Sequence, residues 1–310
     1  MNKKFFIVVP AYNEEKGIAS VLERLKSIGA EVIVVDDGST DSTGEVAKSH
    51  GAIVVRHPAN GGYGQSLKSG IRKASNDLIA IADADGTYPV EELPKMVLMM
   101  EEGYDMVVGA RQGVHYRGTF LKMPARIIFK FLVEFSTGRH IPDINSGLRM
   151  FRKSNVVPLF PLLCDTFSFT TSLTLAFCFM HKFIAYIPIS YDKRVGKSKV
   201  RMVRDSLRTL QFIVQSIAHF NPLKLFLLMS SFLFVVAIGF VIAGVWVNSL
   251  MIALPAGPFF LGSIIVFALG IMADIWRMKR ETISERRIPP PPQGELQKRR
   301  GVFSKIRQNQ

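Results

Sequence analysis

The chain has 310 residues, room for one α/β domain of about 200 residues and a smaller unit. Its net charge of +14 is unevenly placed: residues 225–273 contain no Asp, Glu, Lys, Arg or His, and the excess basic charge gathers around that stretch. That placement excludes a nucleic-acid recognition surface, and two cysteines, Cys164 and Cys178, in apolar context without metal-ligand spacing exclude a disulfide framework and read as reduced core residues.

Residues 1–4 lead straight into a strand, without the long apolar segment of a signal peptide. Apolar runs at 5–9, 32–35, 52–55, 78–82 and 106–108 read as buried strands, and 14–27, 43–49, 65–74 and 91–101 as the helices between them. Ser42 and Glu45 have the spacing of a capping box at the second helix. Near-continuous hydrophobicity in the strands fits a parallel sheet covered on both faces, and the βαβ series predicts a Rossmann-like, mostly parallel α/β domain. Ligands of such sheets lie at the carboxyl ends of the strands.

Three polar clusters fall there: Pro10-Ala11-Tyr12-Asn13-Glu14, Asp36-Asp37-Gly38-Ser39-Thr40-Asp41 and Asp83-Ala84-Asp85-Gly86-Thr87. Two carboxylates at i and i+2 where a strand ends can hold a hard divalent cation between themselves and a diphosphate. On the residues alone, an equal alternative has Asp83 capping the next helix and Asp85 in a turn. The run Asn60-Gly61-Gly62-Tyr63-Gly64 meets neither the Walker nor the dinucleotide pattern. Lys68, one turn into the following helix, either faces donor phosphates or is solvated.

The order Pro-x-Tyr-Asn-Glu, Asp-Asp-Gly-Ser-x-Asp, Asn-x-Gly-x-Gly, Asp-x-Asp and Val108-Gly109-Ala110-Arg111 resembles glycosyltransferase family two of the GT-A fold. Asn145-Ser146-Gly147-Leu148-Arg149 and Arg194-Val195-Gly196-Lys197-Ser198-Lys199 resemble its dolichyl-phosphate mannose synthase and undecaprenyl-phosphate glucosyltransferase branch. The resemblance covers about residues 4–220. It implies that Pro10, Tyr12 and Glu14, with Asp36 or Asp37, hold the base and ribose of a UDP- or GDP-hexose, with Asp83 on the same donor. It implies Mg²⁺ or Mn²⁺ on Asp83 and Asp85. The mannose synthases have Gln as a third ligand where this chain has Thr87.

A lipid phosphate at a membrane surface needs cationic partners, and arginine suits phosphate through its forked donors. Arg111, Arg149 and Arg194 match the family's motif positions, followed by Ser198 and Lys199, and are expected to hold a polyprenyl phosphate. Structural ion pairs with residues such as Asp143 or Asp192 are the alternative. Asp85, Arg111 and Arg149 are the expected catalytic residues. Lys122, Arg126 and Lys130, at fourfold spacing among apolar residues, predict an interfacial helix at about 120–135; 199–222 reads as a juxtamembrane amphipathic helix following a domain at 1–198.

The 49 uncharged residues would extend roughly 73 Å as helix, two crossings of a ~30 Å hydrocarbon core. Asn248, Ser249 and residues 255–258 break the stretch into spans at 223–247 and 258–276. Buried core helices are the alternative. Basic residues flank both spans and none lies in the turn, which predicts both termini and the enzyme domain in the cytosol at the cytoplasmic membrane. The tail, 277–310, has ten Lys or Arg against three Glu and reads as disordered and lipid-facing.

These features together predict an inverting glycosyltransferase that moves a hexose onto undecaprenyl or dolichyl phosphate, with self-association left open. Another lipid or glycan acceptor and an inactive membrane scaffold are the rival readings; the chain's Asp83, Asp85, Arg111 and Arg149 speak against the scaffold. A processive synthase would carry a Gln-x-x-Arg-Trp segment, which is absent from the sequence.

Overall fold

The computed structural model describes residues 5–112, 123–191 and 202–285, with side chains over 5–112, 127–191 and 207–279. Lys122, Arg194, Ser198 and Lys199, the side chain of Arg126 and most of the basic tail lie outside the described residues. The chain divides into two compact units, one reaching Ile213 and one starting at Val214.

Among the described residues of the first unit, seven strands form one sheet: β1 (Phe6–Ala11), β2 (Glu31–Asp36), β3 (Ile53–Arg56), β4 (Leu78–Ile81), β5 (Met106–Gln112), β6 (Arg149–Arg152) and β7 (Ile184–Ser190). Their order is β3-β2-β1-β4-β6-β5-β7. Every neighbouring pair is parallel except those of β6, which runs antiparallel to both β4 and β5. Helices α1 (Ile18–Ser27), α2 (Thr43–Ser49), α3 (Tyr63–Lys73) and α4 (Leu93–Glu101) form the expected crossovers. α5 (Met123–Thr137), α6 (Phe169–Phe179) and α7 (Met202–Phe220) follow.

Both faces of the sheet are covered. Ile7 and Val9 pack with Ile18, Val21, Leu22 and Leu25 of α1 in one apolar cluster. Those α1 residues recur on one helix face, and each contributes roughly 1.5–3 kcal/mol by burial. Val8 and Val35 face α3, where Gly70 lets the helix approach so closely that a Cβ would overlap the Val8 side chain.

Helix α1 starts at Ile18, four residues later than the sequence predicts. The backbone amides of Asn13, Glu14 and Glu15 are instead taken by Ser39 Oγ, Thr43 Oγ1 and Asp41 Oδ2, which bind the loop after β1 to the loop after β2. The expected Ser42–Glu45 capping box does not form, since the Ser42 side chain makes no cap. Glu15 Oε2 accepts from the Ser42 amide at 3.2 Å and Asp41 Oδ1 from the Thr43 amide at 3.0 Å.

In α5, Ile127, Ile128 and Phe131 are more than half exposed while Val133 and Ser136 are buried. Lys130 sits 3.8 Å from Glu134 on the same helix.

The second unit is a helical hairpin of α8 (Pro222–Trp246) and α9 (Ala256–Glu285), both long and apolar enough to cross a membrane. The second helix runs nine residues beyond the predicted end at Trp276. Only 11% and 6% of the residues in their most apolar windows are buried, so these are not core helices. Small residues line the seam and let the two helix backbones approach closely. Ser230 Oγ donates to the Ser263 carbonyl at 2.9 Å, and Gly270 packs so near Phe226 that a Cβ would lie 2.5 Å from the Phe226 Cβ. Phe240 stacks on Phe259 at 5.5 Å, and Asn248, with φ 49°, opens the turn.

Candidate active site

The reversed strand β6 decides which residues meet. Its first residue, Arg149, pairs with Ile81 near the end of β4 and with Val108 of β5. Residues 145–148 therefore enter the sheet at the edge where the parallel strands end, beside the Asp83 and Asp85 loop. Pro10, Tyr12, Glu14, Asp36, Asp37, Asp83, Asp85 and Arg111 all lie at or just past strand ends on that edge.

Tyr63 Oη donates to Asp83 Oδ1 at 2.8 Å. On the other side of this carboxylate the chain passes as Gly147, where a Cβ would come within 2.8 Å of Asp83 Oδ2. Asp85 Oδ1 accepts from both the amide and the hydroxyl of Thr87, at 3.1 and 2.7 Å. Thr87 is fully buried, so its hydroxyl orients Asp85. This donor set, two carboxylates with hydroxyls fixing their rotamers, fits a hard divalent cation that shares a diphosphate. Among the described residues no group of three or more His, Cys, Asp or Glu forms an all-protein cage. Burial, with the nearby Asp83 charge, pushes the Tyr63 hydroxyl well above the usual phenol pKa, so it donates throughout the physiological range.

The acids at the end of β2 are organisers of loops. Asp36 Oδ1 accepts from the Ser39 amide at 2.9 Å, and Arg56 Nε lies 3.4 Å from Oδ2. Asp37 accepts from the amides of Gly61 and Gly62 at 2.9 and 2.8 Å, and from His57 Nδ1 at 2.7 Å. A carboxylate only accepts, so the His57 proton is on Nδ1. Pro10 is partly buried on β1, which ends beside Asp36, and Tyr12 and Glu14 follow it.

The glycine run serves the chain's own backbone. A Cβ at Gly64 would overlap the Cys164 carbonyl, and one at Gly62 would lie 2.9 Å from the Asp165 carbonyl. The segment 163–167 thus lies directly on the start of α3, and the Gln65 amide donates to the Asp165 carbonyl at 2.9 Å. Lys68, expected on the donor phosphates, is turned to this segment: Nζ donates to the Leu163 carbonyl at 2.7 Å and to Asp165 Oδ1 at 2.6 Å, and the side chain is buried.

Arg111 makes the ion pair that was the alternative to phosphate binding. Its Nε and Nη2 donate to Asp143 Oδ2 and Oδ1, and its guanidinium lies 5.3 Å over the Tyr191 ring. Tyr191 meets Tyr88 edge-on at 5.3 Å, and Tyr88 Oη accepts from the Gly147 amide at 2.7 Å. Burial raises the Tyr88 pKa, outweighing the opposing pull of Arg111. One chain of contacts thus runs from Arg111 to the residue that backs Asp83.

Arg149, expected at the acceptor phosphate, is not brought to the site. It is fully buried, and its donors go to the carbonyls of Ser146, Ile144 and Thr170 and to Thr174 Oγ1. Burial pulls its pKa down, yet a guanidinium stays charged in proteins. It holds the 144–146 backbone from beneath. His57, Tyr63, Tyr88 and Tyr191 lie around the strand-end acids and Arg111 and are left unassigned by motif reading, while Thr174 supports only the buried Arg149. His57 and Tyr191 carried a signal, since each directly follows a strand on the site's edge.

This geometry is reflected in known proteins. The model described as glycosyl transferase family 2 matches residues 6–159. An uncharacterized protein of Methanocaldococcus jannaschii is 40% identical over 158 residues, which are 48% of this chain and 64% of that protein. The chain thus spans less than two thirds of that relative. The undecaprenyl-phosphate 4-deoxy-4-formamido-L-arabinose transferase of Yersinia pestis is 30% identical over 251 residues, 74% of this chain and 72% of its own length. The dolichyl-phosphate hexose transferase of Haloferax volcanii is 31% identical over 199 residues, 63% of this chain and 85% of its own. The fold is similar to that of glucosyl-3-phosphoglycerate synthase from Mycobacterium tuberculosis, solved with Mn²⁺ and UDP, with a TM-score of 0.57 and 20% identity over 69% of this chain and 80% of that one. A strand-end acid pair on a mostly parallel sheet, a matching family model and relatives at 30% identity over most of their length agree, and the chain belongs to glycosyl transferase family 2.

Proposed function

We propose that the protein transfers a hexosyl group, with inversion, from a UDP- or GDP-sugar to a polyprenyl phosphate at the cytosolic face of a membrane. The observation that carries this reading is the convergence of Asp83, Asp85 and Arg111 on one sheet edge, in a chain that also holds an exposed apolar helical hairpin. Relatives named for transfer involving undecaprenyl and dolichyl phosphate support the acceptor. Basic flanks around the hairpin support the cytosolic side, and the exposed Ile127, Ile128 and Phe131 of α5 support a helix lying in the interface.

Pro10, Tyr12, Glu14, Asp36 and Asp37 shape the end of the sheet where the nucleoside sits, the two acids acting through the loops they hold. Asp83 and Asp85 would hold Mg²⁺ or Mn²⁺, which when bound offsets the charge of the departing diphosphate. Arg111, fixed by Asp143 and Tyr191, brings positive charge to the acceptor phosphate; Arg194, Ser198 and Lys199 join it on sequence position alone. The acceptor oxygen attacks the anomeric carbon, and the bond to the nucleoside diphosphate breaks. A phosphate monoester has a second pKa of about 6, so the acceptor is ionised near pH 7 and no strong base on the protein is needed.

The test incubates purified full-length protein with UDP- and GDP-hexoses, Mg²⁺, and either polyprenyl phosphate or a soluble phosphorylated acceptor such as phosphoglycerate. A glycolipid formed only with polyprenyl phosphate is expected. Transfer to the soluble acceptor alone would overturn the lipid assignment.

A further inference from the structure

Asp83 is held by a residue that the motif chemistry leaves unused. Tyr63 is the first residue of α3, and its placement is set from three sides. Its ring stacks on Phe167, with centroids 5.7 Å apart and planes inclined by 13°. The flanking glycines admit the 163–167 backbone against the helix start, and Lys68, one turn later, ties that backbone down through Leu163 and Asp165. The result is a hydroxyl 2.8 Å from Asp83 Oδ1, aimed from the start of the helix that precedes β4.

We propose that Tyr63 is a positioning residue for the metal-binding carboxylate: its hydroxyl fixes the Asp83 rotamer and engages Oδ1, directing Oδ2 to the cation, while Phe167 and the Lys68 clamp hold the ring in place. This rests on the reading of Asp83 and Asp85 as metal ligands. A carboxylate free to rotate must lose that freedom when it binds a cation, and a hydrogen bond already in place removes the cost beforehand. The arrangement also assigns the glycine run a use, since any side chain at Gly62 or Gly64 would push 163–167 away and loosen the stack.

The experiment titrates full-length protein in detergent with Mn²⁺, reading free Mn²⁺ by electron paramagnetic resonance, in the presence of UDP and separately of GDP. Tyr63→Phe, Phe167→Leu and Asp85→Asn are compared with the unaltered chain, and nucleotide affinity is measured again in EDTA. Tyr63→Phe is expected to weaken Mn²⁺ on the order of tenfold, as loss of an outer-shell partner does, with nucleotide affinity in EDTA unchanged. Phe167→Leu, which keeps the hydroxyl, should weaken it less, about threefold, so the inference stays testable if Tyr63→Phe folds poorly. If Asp85→Asn abolishes Mn²⁺ binding but Tyr63→Phe and Phe167→Leu bind like the unaltered chain, the role of Tyr63 is overturned while the metal site stands. Unaltered Mn²⁺ binding by Asp85→Asn would overturn the metal site and the Tyr63 inference together.

Discussion

Arg111 and Asp143 are joined by two parallel hydrogen bonds, Nε to Oδ2 at 2.7 Å and Nη2 to Oδ1 at 2.9 Å. The same carboxylate accepts from the backbone amides of Arg111 and Asn145, at 3.2 and 3.1 Å. It therefore ties the end of β5 to the segment that enters β6 and backs Asp83. The Asp143 side chain is only 2% exposed, so removing the guanidinium strands a buried charge.

Arg111→Ala should lose about 3–5 kcal/mol, lowering the melting temperature of the full chain in detergent by on the order of 10 °C. Arg111→Ala combined with Asp143→Ala should recover more than half of that loss, because the stranded charge is gone. Transfer activity should be lost in both. An active double variant would show that Arg111 serves only the fold.

Lys68→Met should lower stability by about 1–3 kcal/mol, since the Leu163 carbonyl loses its buried donor. Asp165 is 61% exposed, so the ion-pair half contributes little. Nucleotide affinity, measured by calorimetry in EDTA, should stay within about threefold of the unaltered chain, a difference below 1 kcal/mol. A large loss of affinity at unchanged stability would return Lys68 to the donor phosphates.

Burial pushes the Cys178 thiol up to about 11. Iodoacetamide at pH 7.5 should leave Cys178 unlabelled in the native chain and label it in guanidinium. The folded state keeps this proton longer than the unfolded state, whose thiol titrates near 8.5. The thiol therefore leaves stability unchanged below about pH 8, and stability falls as pH rises from there towards 11. Urea midpoints at pH 7 and pH 10 should show that loss in the unaltered chain, reduced in Cys178→Ala.

The first five strands and four crossover helices are legible because each is an apolar run or an amphipathic repeat of ordinary length. β6 escapes notice because its four residues open on Arg149 and close on Arg152, a charged pattern that only its central place in the sheet explains. β7 is an edge strand that runs through Pro188, a residue that argues against a strand in sequence, and α6 is buried on all sides except at its last residue, so it shows no two-faced pattern. Asp83 and Asp85 can be found from their position after a strand. Arg149 and Lys68 cannot be placed that way, because a motif names a residue type and not the direction of its side chain. Asp41 and Glu15 take the place of Ser42 and Glu45, one through a local turn to the Thr43 amide and the other from the loop after β1.

The most direct measurement follows a radiolabelled hexose into the organic phase when the full chain meets a UDP- or GDP-hexose, Mg²⁺ and either polyprenyl phosphate or the polyprenyl alcohol of equal length. The prediction is label in lipid with the phosphate only, abolished by EDTA and by Asp85→Asn. Equal transfer to the alcohol, or full transfer by Asp85→Asn, would contradict a metal-assisted transfer onto a lipid phosphate.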